Sequence, residues 1–374
     1  MKIAIVCYPT FGGSGVVATE LGVSLAQRGH EVHFITYSQP VRLALLNPNI
    51  FYHEVNVPDY PLFHYQPYEL ALSSKIVDMV KLYEIDILHV HYAIPHAFAG
   101  YMAKKMLEDM GIRLPMVTTL HGTDITLVGN HPNYKTAVSF SINKSDYVTS
   151  VSEDLKKSTY ELFDVKKEIH VIPNFIEEKL NGFVSVTCKR LLFANDDERI
   201  ITHISNFRKV KRIQDIIKVF DGIQKKIPAK LMMVGDGPEK RDAEKLAEEL
   251  GISDKIIFFG NSNEVDSILR YSDLFLLPSE TESFGLAALE AMACGVPVIS
   301  SNSGGLPEVN VEGVTGYLSN IGDIDDMVNN ALKVLTDDDV LSQFKANAIE
   351  HSKAFSVEKI VPAYEALYQK ALNI

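Results

Sequence analysis

Short apolar runs alternate with stretches of helical periodicity through most of the chain, the pattern of βα units that build parallel sheets. The runs KIAIVCY (2–8), EVHFIT (31–36), DILHVHY (86–92), PMVTTLH (115–121), YVTSVS (147–152) and EIHVIP (168–173) predict six strands of a first sheet. Helices are expected between several of them, including about 16–28, 95–110 and 153–163. A second series begins near 199 with RIITHIS and continues through AKLMMVG (229–235), KIIFFG (255–260), DLFLLP (273–278) and VPVISS (296–301). Its helices are expected near 211–226, 238–250, 263–271 and 284–294. The expected fold class is therefore α/β, with two Rossmann-like domains at 1–173 and 198–355 facing a central cleft. A polar stretch at 174–197 reads as the linker between them. The amphipathic segment 356–374 predicts a C-terminal helix that the pattern assigns to neither domain.

Composition narrows the function classes. A length of 374 residues, 46% hydrophobic and 22% charged, suits a globular chain of two domains with full cores. No apolar run approaches the roughly 20 residues of a membrane-spanning helix, and the N-terminus lacks the long apolar region of a signal peptide. A cytoplasmic protein with no membrane partner is expected. The formal net charge of −12 argues against a nucleic-acid partner, which calls for a basic face. Cys7, Cys188 and Cys294 match no metal or redox spacing and read as reduced packing or surface residues. Neither a metal nor a cofactor is expected; homo-oligomerisation stays open.

Four segments carry candidate chemistry. Gly12-Gly13-Ser14-Gly15 follows the first strand, where glycines admit a ligand to the backbone and helix-start amides favour an anion. Gly13-x-Gly15-x-x-Ala18 also fits a loose dinucleotide fingerprint, but Thr36-Tyr37-Ser38 lacks the acid that a nicotinamide dehydrogenase needs after its second strand. A tight structural turn is the plainer alternative. His121, in His121-Gly122-Thr123-Asp124, ends a parallel strand and can hydrogen-bond a sugar hydroxyl or a developing charge; the bland reading is a structural histidine. His89 and His91 alternate with apolar neighbours and read as core or cleft-lining rather than metal ligands.

The third segment, Asn206-Phe207-Arg208-Lys209-Val210-Lys211-Arg212, places four cations in five positions after the first strand of the second series. That suits a pyrophosphate. A merely solvated helix start would set those cations against the macrodipole. The fourth is Glu280 to Ile299, with Glu282 in a loop and Glu290 eight residues later. Glu290 is the only charged side chain from Phe284 to Cys294, so a buried carboxylate in need of a partner, such as a sugar or ribose diol, is expected. The amides of Phe284, Gly285 and Leu286 are further donors to a ligand. A glutamate on one solvated face is the alternative.

The Glu-x7-Glu spacing in ETESFGLAALEAMACGVPVI resembles the signature of the retaining GT-B glycosyltransferases of family four. VGDGPE (234–239), Ser303-Gly304-Gly305-Leu306-Pro307-Glu308 and the N-terminal GGSG extend the resemblance over nearly the whole chain. MKIAIVCYPTFGGSGVVATELG, LHVHYAIPHA, LHGTD, VTSVS and HISNFRKVKR resemble, more narrowly, the branch that joins N-acetylglucosamine from UDP-N-acetylglucosamine to L-malate in bacillithiol biosynthesis. The resemblance implies that Glu290 holds the ribose, Glu282 the sugar hydroxyls, and Lys211 with Arg208 the diphosphate. It also implies that His121 meets the transferred sugar, and that Gly13, Ser14, Gly15, Asn206, Phe284, Gly285 and Leu286 complete the donor site. Where the family has Arg before four residues and a Lys, this chain has Asn206, and Arg208 is the candidate replacement. A front-face mechanism is implied, the leaving phosphate helping to deprotonate the acceptor. A dianionic acceptor needs several donors and a cation; Ser14, Tyr92 and Thr123, with Lys135, are the candidates. Another acceptor such as a lipid or glycan is the rival within the family, and a non-catalytic nucleotide-sugar binder the rival outside it. The joint presence of Glu282, Glu290, His121 and Lys211 argues against the second.

Overall fold

The computed structural model describes residues 1–10, 12–43, 45–59, 61–177, 190–262 and 264–373. The chain folds as two compact units, Met1–Phe175 with Val357–Ile374, and Ile176–Ser356.

The first unit holds seven parallel strands: β1 (Lys2–Val6), β2 (Glu31–Thr36), β3 (Ile50–Glu54), β4 (Ile87–His91), β5 (Met116–Leu120), β6 (Tyr147–Ser150) and β7 (Ile169–Val171). Their order is β3-β2-β1-β4-β5-β6-β7. β1, β4 and β5 are almost wholly buried because helices cover both faces of a parallel sheet, although β4 and β5 each bury two polar side chains. The sequence pattern did not single out β3. IFYHE lies at the sheet edge with only Ile50 fully buried, so it never forms a continuous apolar run.

The second unit repeats the design with β8 (Arg199–Ile204), β9 (Ala229–Val234), β10 (Ile256–Gly260), β11 (Leu274–Leu277), β12 (Val298–Ser301) and β13 (Gly316–Ser319), in the order β10-β9-β8-β11-β12-β13. Its core joins Ile201, Phe220, Leu231, Leu276 and Ile299 to the helices Ile213–Gln224 and Ile324–Leu335. β13 and the helices Tyr68–Tyr83, Ile324–Leu335 and Asp338–Ser352 are additions to the elements expected from the sequence.

Two stretches complete or correct the expected division. The C-terminal helix Val357–Leu372 packs on the first unit, burying Val361, Tyr364, Leu367, Tyr368 and Ala371 along one helical stripe. The stretch 174–197 is not wholly a linker. Phe175 is buried in the first unit, while Phe193 and Ala194 pack beside Ile200 and Tyr271 in the second. Residues 178–189 of that stretch, Cys188 among them, lie outside the described residues. Cys7 is buried, and burial pushes its thiol up to about 12.

In each sheet the strand order reverses once, between β1 and β4 and between β8 and β11. Ligands of open α/β sheets bind outside the carboxyl ends of strands at such a reversal. Ser14 follows β1, Tyr92 follows β4, Lys211 follows β8 and Glu282 follows β11, so topology selects the residues that the motifs named. Among the described residues no helix is long and apolar enough to cross a membrane.

Candidate active site

In the first unit three strand ends converge on one hydroxyl. The Tyr92 hydroxyl lies 2.7 Å from Ser14 Oγ at the start of helix Gly13–Gln27, and the Thr123 side chain hydrogen-bonds it as well. Tyr92 holds a positive φ of 86°, rare for an aromatic residue and costing on the order of 1–3 kcal/mol. The strain turns the chain sharply at the end of β4. Burial, then the charge of Asp124, pushes the phenol up to about 12, so at neutral pH it remains a hydroxyl able to donate or accept. Lys135 is not in this cluster by any contact: it is exposed, with its ammonium 5.7 Å from the centre of the Phe163 ring. Gly15 serves the chain itself. A Cβ there would stand 2.5 Å from Tyr8 O and 2.6 Å from Thr10 O, so the helix can start against its own strand end only with glycine. Gly13 is the exposed first residue of that helix.

Asp124, passed over in the sequence, ties these strand ends together. Its carboxylate accepts from the amides of Ala93 (2.8 Å), His121 (3.1 Å) and Gly122 (3.0 Å). One buried side chain thus fixes the loops after β4 and β5. Burial pushes the carboxyl up to about 6, against the pull of those amides. The signal was present in the sequence as an acid three residues beyond His121, but only the fold reveals Ala93 as its partner.

His121 is buried, its Nε2 2.8 Å from His91 Nδ1 and its ring 5.2 Å from that of Tyr92. Burial, then proximity to His96, pulls it down to about 3, so at neutral pH it is a neutral ring, suited to hydrogen bonding rather than to general-acid catalysis. His89 and His91 lie on the same face of β4, as their alternation requires, and are both buried. His89 meets the Tyr368 hydroxyl and Thr119 Oγ1, each at 2.7 Å.

In the second unit the cation loop and the Glu282 loop meet. Lys211 Nζ donates to Glu282 Oε1 at 2.5 Å, and Ser279 Oγ donates to the same oxygen at 2.8 Å. Both members of the ion pair are largely shielded, with side-chain exposures of 20% and 14%. Glu280 N donates to Val210 O at 2.8 Å, joining the two loops through the backbone as well. Gly304 holds φ +61° with its backbone so close to Glu282 that a Cβ would sit 2.0 Å from Glu282 O, and Gly305 N donates to that oxygen at 2.8 Å. The Ser303-Gly304-Gly305 loop therefore cradles the Glu282 turn. Asn206 and Arg208 are exposed on the cation loop.

Glu290 departs from expectation. It is half-buried, not enclosed: on helix Leu286–Ala293 the residues Ala288, Leu289, Ala291 and Met292 are buried, while Leu286, Ala287 and Glu290 share a partly open face. Phe284 is buried, and Gly285 caps the helix at φ 99°.

Two parallel sheets, each with its candidate residues at the strand-order reversal, match two family models in chain order. Residues 11–180 match the model described as Glycosyltransferase Family 4, and residues 189–351 the model described as Glycosyl transferases group 1. A relative from Bacillus anthracis, N-acetyl-alpha-D-glucosaminyl L-malate synthase, is 47% identical over 375 residues, covering 100% of this chain and 98% of its own. The chain belongs to the family-four glycosyltransferases. Among solved structures, Anabaena HepE in complex with UDP and glucose is similar in fold, with a TM-score of 0.81 at 20% identity over 99% of each chain. Sucrose-phosphate synthase from Thermosynechococcus elongatus gives a TM-score of 0.80 at 22% identity, covering 99% of this chain and 98% of that one.

Proposed function

We propose that this chain is a retaining hexosyltransferase that joins N-acetylglucosamine from UDP-N-acetylglucosamine to the hydroxyl of L-malate, opening bacillithiol biosynthesis in the cytoplasm. The observation that carries this reading is the 47% identity with the N-acetyl-alpha-D-glucosaminyl L-malate synthase of Bacillus anthracis along the entire chain. In the reaction the bond from the anomeric carbon to the diphosphate breaks and a bond to the malate hydroxyl oxygen forms on the same face. The hydroxyl proton passes to the departing phosphate, and UDP leaves.

In this reading Lys211, with Arg208, Asn206 and the helix-start amides of Phe284, Gly285 and Leu286, offsets the charge of the diphosphate. Glu290 holds the ribose from its partly open helix face. Glu282 is steadied through Oε1 by Lys211 and Ser279, and its other oxygen has no hydrogen bond among the described residues, which supports a role toward sugar hydroxyls. Ser14, Tyr92 and Thr123 serve the acceptor. Lys135 stays a candidate cation only through a side-chain swing away from Phe163. The protein contributes positioning and charge stabilisation rather than a covalent nucleophile.

The test is incubation with UDP-N-acetylglucosamine and a panel of malate, lactate and glycerol, read by UDP release and product mass. Malate is expected to react far faster, because donors placed for two carboxylates are left partly unpaired by an acceptor with one or none. Equal rates with lactate would overturn the acceptor.

A further inference from the structure

The pairing of His121 with His91 carries information about which edge of His121 bears its proton. Both rings are buried and held neutral, so each carries one N–H. Between His91 Nδ1 and His121 Nε2 the contact is 2.8 Å, with ring centroids 5.1 Å apart and planes 26° from parallel. The rings meet edge to edge, the direction in which a ring nitrogen's lone pair points. One nitrogen donates and the other accepts.

His91 Nε2 decides between them. It is buried with no hydrogen-bond partner. Were His121 the donor, His91 would carry its proton on Nε2 and bury an orphaned N–H. Were His91 the donor, only a bare lone pair would be left. Orphaned buried N–H groups are the rarer of the two in folded proteins, and an unmade donor costs about 1–3 kcal/mol. The same surroundings already hold one bare lone pair. His96 Nδ1 faces the His91 carbonyl at 2.6 Å, which can only accept, so His96 is protonated there and its buried Nε2 is bare. His91 cannot turn away, because its ring lies 4.4 Å from that of His89, whose two nitrogens are held by Tyr368 and Thr119.

We propose that His91 is a positioning residue: it donates Nδ1–H to His121 Nε2 and so fixes His121 as the Nδ1-protonated tautomer, presenting a donor at the edge that has no partner among the described residues. The consequence for transfer rests on His121 meeting the transferred sugar. A donor there can strengthen a hydrogen bond to an oxygen that gains charge as the glycosidic bond breaks. The wrong tautomer would present a lone pair instead.

The experiment uses the full-length protein labelled with ¹⁵N at histidine, reading the tautomer from ring-nitrogen shifts and two-bond couplings, with His121 assigned from a His121→Gln sample. Wild type is expected to show His121 protonated at Nδ1. His91→Asn, whose amide N–H replaces Nδ1–H, is expected to keep that tautomer and most of kcat. His91→Leu is expected to move the proton partly or wholly to Nε2 and lower kcat on the order of 10²-fold, with little change in KM for UDP-N-acetylglucosamine. An Nε2-protonated His121 in wild type overturns the proposal. So does a His91→Leu protein with unchanged tautomer and kcat. If the leucine variant does not fold, the wild-type and asparagine spectra still decide. The spectra read the tautomer whether or not malate is the acceptor, so failure of the assigned reaction is distinguishable from failure of this inference.

Discussion

Lys211 is paired with Glu282, and that pairing sets what its loss should do. Lys211→Ala removes a cation from beside a shielded carboxylate and from the proposed diphosphate site. Loss of one preorganised charge at a developing anion costs on the order of 10²–10³ in turnover, so kcat is expected to fall at least 10²-fold. Glu290→Ala is expected instead to weaken UDP binding with a smaller change in kcat, since a ribose is held alike in ground and transition states. Steady-state kinetics with UDP calorimetry separates the two; near-normal values in both variants would remove the donor site from this loop. On the first unit, Tyr92→Phe deletes the hydroxyl on which Ser14 and Thr123 converge. KM for malate should rise more than KM for UDP-N-acetylglucosamine. A larger effect on the sugar nucleotide would reassign the cluster to the donor.

At the scale of elements, the C-terminal helix Val357–Leu372 is the piece of the first unit contributed from farthest away in sequence. Glu365 accepts from Arg28 Nε at 3.0 Å and from its terminal nitrogen at 2.7 Å, and also meets His30 Nε2 at 2.9 Å. Only Arg28 of this cluster is exposed, and solvent screens its share of the pairing. The buried stripe matters more, and Tyr368 within it is fully buried with its hydroxyl on His89. Tyr368→Ala is expected to destabilise the first unit by roughly 3–5 kcal/mol as a large-to-small core change. Tyr368→Phe, which only strands a His89 nitrogen, should cost about 1–3 kcal/mol. Urea unfolding followed by a probe on the first unit checks both, and an alanine cost below that of phenylalanine would show the helix to be peripheral.

For the whole molecule, buried histidines set the response to acid. His89 and His121 are pulled to about 3 and His96 and His203 to about 4, in each case first by burial. In the unfolded chain these rings titrate near 6.5. Below that pH the unfolded state binds more protons, so their contribution is complete above about 6.5 and is lost as pH falls toward 3–4. Asp124 runs the other way. Raised to about 6 in the fold, it favours the native state below the unfolded carboxyl value near 3.9, and that contribution is lost as pH rises through 6. Four histidines outweigh one carboxyl. Tm should fall from pH 7 to pH 5, and fall further in Asp124→Asn, where the opposing group is gone. A Tm that rises on acidification would contradict the buried neutral histidines.

The sequence by itself determined the α/β class, most strands of both sheets and the segments that bear the chemistry, because buried parallel strands must be apolar runs and glycine-bounded loops keep their spacing. It named Lys211, Glu282, Tyr92 and His121 one at a time. Only the tertiary structure decided their company. Ser14 meets Tyr92 across 78 residues and Lys211 meets Glu282 across 71, distances that no local periodicity spans. The placement of Val357–Leu372 escaped for the same reason, since an amphipathic face shows what must be covered and not what covers it. The edge strand β3 escaped because it forms no apolar run. Glu290 was read as enclosed from its apolar neighbours, yet an eight-residue helix packed on one side leaves its other face partly open. Asp124 and His91 stand inside quoted motifs, but no motif states what they do. Their roles arise from burial, where each polar atom must find a partner, and the partner is chosen by how the strands lie side by side.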